Sequence, residues 1–406
     1  MSDATRPPLG GATLVTAAGS AVAQAVQLAA LVFAARQLGP EAFGVLGFVT
    51  ATAATAAGVT AFAPALHVAR SYSLGHHAGL PRAMGEAIGI GLLALAGLAV
   101  ARLVGAAPLL RSGATVLALG ALLLATVSQL VMAHALIGAS RFGALGAMRV
   151  AGALAGSVGL AWGAVQGREL AAALGLALGQ GVSVLVAVRA LRALPPSPEA
   201  AGASAPEPQR RAAIAAAVLG GPMLWLAQAL VSHRPDGAGE MARIAAVTPL
   251  VAAVLFVPGQ LGQAWFAIIA RATDVRATLR RALQVTALAG GLVGVALAAT
   301  SPWWAGAYGP GFEALPSVAV PLLVAAAIQG TVAPAVRVLE ARGHVADTVW
   351  LNTVLAAVAV GGTLASARFG AAGYAHAVAA AFALHGLLLA ACVWWRTRPP
   401  APAAVP

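Results

Sequence analysis

Apolar blocks of about 20 residues follow one another along almost the whole chain, and the short stretches between them hold nearly all of its charge. A block of that length is a helix able to cross about 30 Å of hydrocarbon while closing its own backbone hydrogen bonds. Charged residues make up 9% of the chain against 60% hydrophobic ones, with a mean hydropathy of +0.87. A soluble domain carries about 25% charged residues, because water must solvate its outside. Lipid therefore covers most of this one. The pattern predicts an all-α polytopic membrane protein of about twelve transmembrane helices, near residues 13–35, 42–64, 84–105, 113–138, 145–166, 169–190, 213–232, 243–266, 282–304, 315–336, 348–366 and 372–395. Because the blocks are apolar all round, they cannot be barrel strands, whose residues alternate apolar and polar over about ten positions.

The net charge of +12 does not describe a nucleic-acid surface. The 24 basic residues, all arginine, stand singly or in pairs at block ends and form no patch. Their distribution sets the orientation instead. Alternate connections hold Arg6; Arg70 and Arg82; Arg141; Arg189, Arg192, Arg210 and Arg211; Arg271, Arg276, Arg280 and Arg281; Arg337 and Arg342; and Arg396 and Arg398. The other set holds Arg36, Arg111, Arg168, Arg234, Arg243 and Arg368, about one per loop. The positive-inside rule puts the richer set and both termini in the cytoplasm. The first block is longer than a signal-peptide core and reads as an uncleaved span. Cys392 is the only cysteine, which excludes an intramolecular disulfide and a cysteine-rich metal site.

The chain divides into an N-terminal six-helix bundle (1–191), a cytoplasmic linker (192–211), a C-terminal six-helix bundle (212–396) and a disordered tail (397–406). Leu194-Pro195-Pro196-Ser197-Pro198 and the Ala/Ser/Pro/Glu stretch after it have the composition of a flexible connection. Two six-span halves are expected around a central cavity, as in transporters built from repeats. Gly39-Pro40-Glu41-Ala42-Phe43 and Gly237-Ala238-Gly239-Glu240-Met241 occupy equivalent places in the two halves. Gly89, Gly91, Gly97, Gly290 and Gly291 are expected to let helices approach closely.

No catalytic constellation appears: there is no His-x-x-x-His or paired-carboxylate spacing inside a span, no Gly-x-Ser-x-Gly turn, and no lysine for a phosphate-binding loop. Asp236 and Glu240, in an outer loop, read either as a glycosyl-transfer pair or as a solvated loop residue and a helix N-terminal carboxylate. Polar residues inside spans say more, since hydrocarbon drives them toward a bundle interior or a wet cavity. They are Gln24, Gln27, Glu86, Arg102, Gln129, His134, Arg149 and Gln180 in the first half. The second half has Gln228, Gln260, Gln263, Gln329, Asn352, His376 and His385. Gln24 and Gln27 share one helix face, as do Gln260 and Gln263. Each glutamine reads as an interhelical hydrogen bond or as cavity lining. Arg36, Arg70, Arg149, Arg243, Arg271 and Arg337 lie at or just inside span ends, where they could ring a cavity mouth or simply snorkel. Arginine suits a phosphate because its planar fork donates two parallel bonds and stays charged. Arg149 stands out by lying several residues into its span. His134 and His376 could titrate near neutral pH.

At the end of span one the chain reads Ala34-Ala35-Arg36-Gln37-Leu38-Gly39-Pro40-Glu41-Ala42-Phe43-Gly44. This resembles the signature of the polysaccharide (Wzx-type) flippases of the multidrug/oligosaccharidyl-lipid/polysaccharide exporter superfamily. Arg141-Phe142 with Arg149, Tyr308-Gly309-Pro310-Gly311-Phe312, Ala341-Arg342-Gly343 and Phe369-Gly370-Ala371-Ala372-Gly373-Tyr374-Ala375 resemble further elements in the same order. The resemblance implies two six-helix bundles and alternating access in the inner membrane. The cargo it implies is an undecaprenyl-diphosphate-linked sugar, moved from the cytoplasmic to the periplasmic leaflet. It implies no cofactor; membrane lipids and a polysaccharide polymerase or glycosyltransferases are the implied partners. Arg36 matches the motif arginine and Arg149 a basic family position. With these, Arg70, Arg271, Arg337, Gln24, Gln27 and His134 complete the expected substrate-binding set. The chain lacks the extra helix pair of some lipid II flippases, and few carboxylates lie in its cavity-forming spans. The rival readings are a cation-coupled drug antiporter of the same superfamily, which needs such carboxylates, and a membrane-embedded sugar polymerase or ligase, which needs a long outer loop.

Overall fold

Thirteen α-helices and one short 3-10 turn carry the part of the chain that this computed structural model describes, residues 9–77, 79–105, 107–194, 207–272, 274–341 and 344–397. In order they are α1 (Leu9–Thr60), α2 (Phe62–Ser73), α3 (Leu80–Leu103), α4 (Gly113–Gly138), α5 (Phe142–Val165), α6 (Glu169–Arg192) and α7 (Glu207–Ser232). They continue with α8 (Gly237–Arg271), α9 (Val275–Ala299), α10 (Ser301–Tyr308), α11 (Leu315–Ala341), α12 (Val345–Ala365) and α13 (Gly370–Arg396). Among the described residues, 10 helical segments are long and apolar enough to cross a membrane. The first, Ala17–Thr60, is two passes. Gly39 breaks it at φ 73° and ψ 171°, a conformation that glycine adopts without steric cost. Pro40 then opens the second limb, where its fixed φ and missing N–H suit a first helical turn. With α7, apolar over Leu219–Ser232, the passes number twelve, the count that the apolar blocks predict.

Helix and apolar block do not always share ends. The second pass continues past its block as α2, which carries Arg70 out along the inner end. Hydropathy alone misses such a segment because its polar face lowers the mean. The block expected at 282–304 is divided: α9 ends at Ala299, and Ser301-Pro302 starts α10, since the residue before a proline is poor at continuing a helix. Helix α6 reaches Arg192 and α7 begins at Glu207, so both ends of the expected linker 192–211 are helical. Residues 195–206 and the tail beyond Thr397 lie outside the described residues.

The helices pack as two bundles. In the first, α5 lies against α6 and the first limb of α1, while α4 joins α6, α3 and α2. In the second, α11 is central, touching α8, α9 and α13, and α12 bridges α7 and α13. The second limb of α1 crosses over to α8 and α7 and joins the two.

Lipid supplies little net drive between helices, so contact depends on how closely backbones can approach. The tightest seam is between α5 and α6. A Cβ at Gly159 would collide with the backbone of Gly175, one at Gly163 with Ala172, and one at Gly179 with Gly156. The five glycines expected to serve this purpose do not. Gly89, Gly97 and Gly291 face open space, and Gly91 and Gly290 have only ordinary room for a methyl. In a chain of 47 glycines, clustering does not mark the contact; a three- and four-residue repeat facing another such repeat does. Replacing Gly175 with Leu should cost about 1–3 kcal/mol by overpacking and lower the melting temperature of the detergent-solubilised protein. Gly97→Leu, which meets nothing, should melt with the parent.

Candidate functional site

Four helices of the first bundle bring their polar residues to one place. On α1, Ser20, Ala23, Gln24 and Gln27 fall at the i, i+3, i+4, i+7 positions of a single face. Helix α5 adds Arg149, Gly152 and Ala153 at the same period, α6 adds Gln180 and Ser183, and α4 adds Gln129. Together they line a cavity of about 320 Å³. None of these lining residues is a carboxylate. Arg149 lies 7 residues into α5, about 10 Å from its inner end, so the cavity occupies the inner half of the bundle.

Within it, the Arg149 guanidinium donates through Nη1 to the buried Ser20 hydroxyl. Ser183 is already spent, donating to the Met148 carbonyl at 3.1 Å and tying α6 to the α5 backbone. A Cβ at Gly152 would fill the space that Ser183 Oγ takes, so the cavity wall is set by the absence of a side chain there. Gln27 is exposed to the cavity, and Gln24, Gln129 and Gln180 are half-buried.

Three residues of the expected set, Gln24, Gln27 and Arg149, thus meet. The others lie elsewhere. His134 is five residues from Gln129, about 140° round the helix, and its Nδ1 is bonded to the Leu130 carbonyl of its own helix at 2.8 Å. Arg70 is exposed on α2, and Arg337 is half-buried near the inner end of α11. The side chain of Arg271 is outside the described residues, as are those of Gln260 and Gln263. Arg36 sits at the opposite, outer end, with its stem where a Cβ on Gly309 would touch it at 3.6 Å. In the second bundle Gln228 donates to the Tyr374 hydroxyl at 3.1 Å, an interhelical bond. Ser20 and Ser183 escaped the sequence reading. The available signal was their spacing of four from Gln24 and three from Gln180.

The outer end is ordered by two of the sequence motifs meeting. Pro40 of the first turn lies where a Cβ at Gly311 would be, and Phe43 packs on Tyr308 and Phe312. Glu313 holds that second turn, accepting the Gly311 N–H at 3.0 Å. Glu240 is a helix-terminal carboxylate: it accepts the Ala371 N–H at 2.8 Å at the start of α13 and pairs with Arg243 at 3.1 Å. Asp236 stays largely exposed.

Neither the protein-family models nor the sequences of curated proteins match this chain. Solved structures do match its fold. The lipid II flippase MurJ, in an inward closed conformation, aligns with a TM-score of 0.67 at 13% identity over 95% of this chain and 88% of that one. An inward-facing multidrug resistance MATE family transporter of the MOP superfamily aligns at 0.62, with 14% identity over 92% and 94%. A MOP superfamily transporter from Pyrococcus furiosus, described as having a binding pocket of reverse polarity, aligns at 0.58, with 14% identity over 95% of both chains. The fold is therefore that of the MOP superfamily transporters, and the protein is a multi-pass membrane protein.

The backbone N–H groups of Gly311 and of Glu313 itself hold the Glu313 carboxyl below its ordinary value. A lowered folded value means that its support of the turn is present above the ordinary glutamate pKa and is lost as pH falls through the folded one. Deuterium exchange at 309–313, corrected for intrinsic rates, should therefore speed up in acid relative to neutral pH. In Glu313→Gln that difference should vanish.

Proposed function

We propose that this protein is a flippase carrying an undecaprenyl-diphosphate-linked oligosaccharide from the cytoplasmic to the periplasmic leaflet of the cell inner membrane by alternating access. One observation carries the reading: Arg149 lies half-buried in a cavity that offers it amides and hydroxyls and no carboxylate. A guanidinium drawn away from water needs a counter-charge. It has five N–H donors, and its described hydrogen-bond partner is one serine. A diphosphate supplies the missing charge and fits the planar fork. The glutamine amides both donate and accept, which suits sugar hydroxyls, and the lipid tail remains in the bilayer. Arg70 and Arg337 at the inner end would draw the anionic headgroup toward the cavity. Glycosyltransferases would supply this substrate and a polysaccharide polymerase would consume it on the far side.

The likeness to drug transporters concerns fold, and fold is shared among substrates. A cation antiporter needs an acidic site. Glu86, the main carboxylate within the spans of the first half, lies on an exposed face of α3 and does not line the cavity.

The test is a mass-spectrometric profile of lipid-linked sugars in cells lacking the gene. Undecaprenyl-diphosphate oligosaccharide should build up on the cytoplasmic side while surface polymer is lost. Arg149→Ala should fail to restore export, with a loss of about tenfold or more, because a charge-assisted hydrogen bond is worth about 1.5–3 kcal/mol. Arg149→Lys, which keeps charge without the fork, should restore it in part, and Arg70→Ala nearly in full. An unchanged lipid profile with intact polymer would overturn the reading in favour of the antiporter. Build-up on the periplasmic face would overturn it in favour of a polymerase or ligase.

A further inference from the structure

We infer that a dry aromatic plug, Phe43 of the first bundle seated against Tyr308 and Phe312 of the second, is the outer gate of the polar cavity. The inference rests on the transport reading above and adds to it the device that closes one side. Phe43 is 1% exposed, and Tyr308 and Phe312 are 0% exposed. Their ring centroids lie 6.3, 6.0 and 5.4 Å apart, tilted or edge-on, as buried aromatic clusters pack. The Tyr308 hydroxyl donates to the Ala246 carbonyl at 2.8 Å, so the receiving wall is pinned to α8.

Around this plug the two bundles touch backbone to backbone. A Cβ at Gly44 would lie inside the Ala238 carbonyl, and one at Gly47 would collide with the Ala245 methyl. Pro40 closes on Gly311, and the Arg36 stem lies along Gly309. One turn further in, Phe48 packs on Trp225, whose indole N–H donates to Thr52 at 2.8 Å. All of these contacts cross between the bundles, and the plug itself lies outward of the cavity: Phe43 is three residues into its limb from Pro40, about 5 Å, whereas Gln27 is nine residues below Arg36, about 13 Å along the helix.

The ion pairs of the outer end behave differently. Glu41 pairs with Arg111 inside the first bundle, and Arg243 with Glu240 inside the second. Separating the bundles leaves these pairs whole and exposes the aromatic rings instead. The gate is therefore held by apolar burial and close packing, and these ion pairs stiffen its two jaws. With the plug seated, the cavity communicates with the cytoplasmic side alone.

The test uses the full chain with Cys392→Ala and a reporter, Gln27→Cys, on the cavity wall. A membrane-impermeant maleimide should label the reporter in inside-out vesicles and leave it unlabelled in right-side-out ones. Phe43→Ala should raise labelling from the outer side about tenfold or more, because truncating a buried phenylalanine weakens the closed state only. Gly44→Ala, a wedge at a different contact, should do the same. Phe43→Leu replaces the alanine variant if that one is not monodisperse. Outer labelling unchanged in both monodisperse variants, or a parent labelled equally from both sides, would overturn the gate. A parent unlabelled from the cytoplasmic side would overturn the transport reading of the cavity itself.

Discussion

Hydrocarbon offers no hydrogen-bond partner, so each polar atom placed in a span must find one inside the protein. That constraint accounts for more of this structure than any single contact. Most hydroxyls in the spans meet it locally: Thr52, Thr126, Ser128, Thr248, Thr331 and Thr363 donate to carbonyls of their own helix four residues back. His134 and His376 do the same through Nδ1. Residues settled in this way carry little information about function. Side chains that cannot reach their own backbone in such a manner, Arg149 with Gln24, Gln27, Gln129 and Gln180, are the ones that gather round the cavity, and they do so on helices whose glycines let the walls come close.

The two bundles answer the constraint differently. The first keeps a wet interior behind a rigid wall, since the glycine seam of α5 and α6 fixes the spacing across which Arg149 and Gln180 face the same space. The second spends several of its described polar groups on fastening helices: Gln228 on Tyr374, Thr286 on the Thr331 carbonyl, Glu240 on the start of α13, and Arg234 on the carbonyls of Ala367 and Arg368. The equivalence of the Gly39 and Gly237 turns in the sequence becomes contact in the fold, where Gly44 and Ala238 meet. Related turns have been put to work as opposite faces of one seam.

Most of the architecture was legible in the sequence, because the features that reveal it are collective. Apolar blocks set the passes, and their signal does not depend on any one residue. The candidate site was legible in part. Arg149 could be singled out because a cation well inside a span has no bland address, and Gln24 with Gln27 because they share a face. Arg36 and Arg70 could not be placed by the same logic. Nearness to a span end says that a side chain can reach a surface, and does not say whether that surface is a cavity. Which glycines pack was illegible for a related reason: in so Gly-rich a chain the informative quantity is the match between two distant helices. The break at Gly39-Pro40 shows the opposite case, a purely local requirement that two adjacent residues announce.

On the proposed reading, a polar cavity and an apolar seam are complementary solutions to one transport problem. Were the seam built from ion pairs across the bundles, each opening would have to desolvate and rehydrate charges, at a cost that depends on pH and salt. Aromatic rings and glycine contacts separate without a change in protonation, and they close again by excluding water. The charge that this reading assigns to holding an anionic headgroup can then be confined to the cavity, where the lining is one arginine among neutral amides and hydroxyls. Charge for recognition, on Arg149 of α5, and apolar surface for gating, on Phe43, Tyr308 and Phe312, are thereby kept on different residues of different segments.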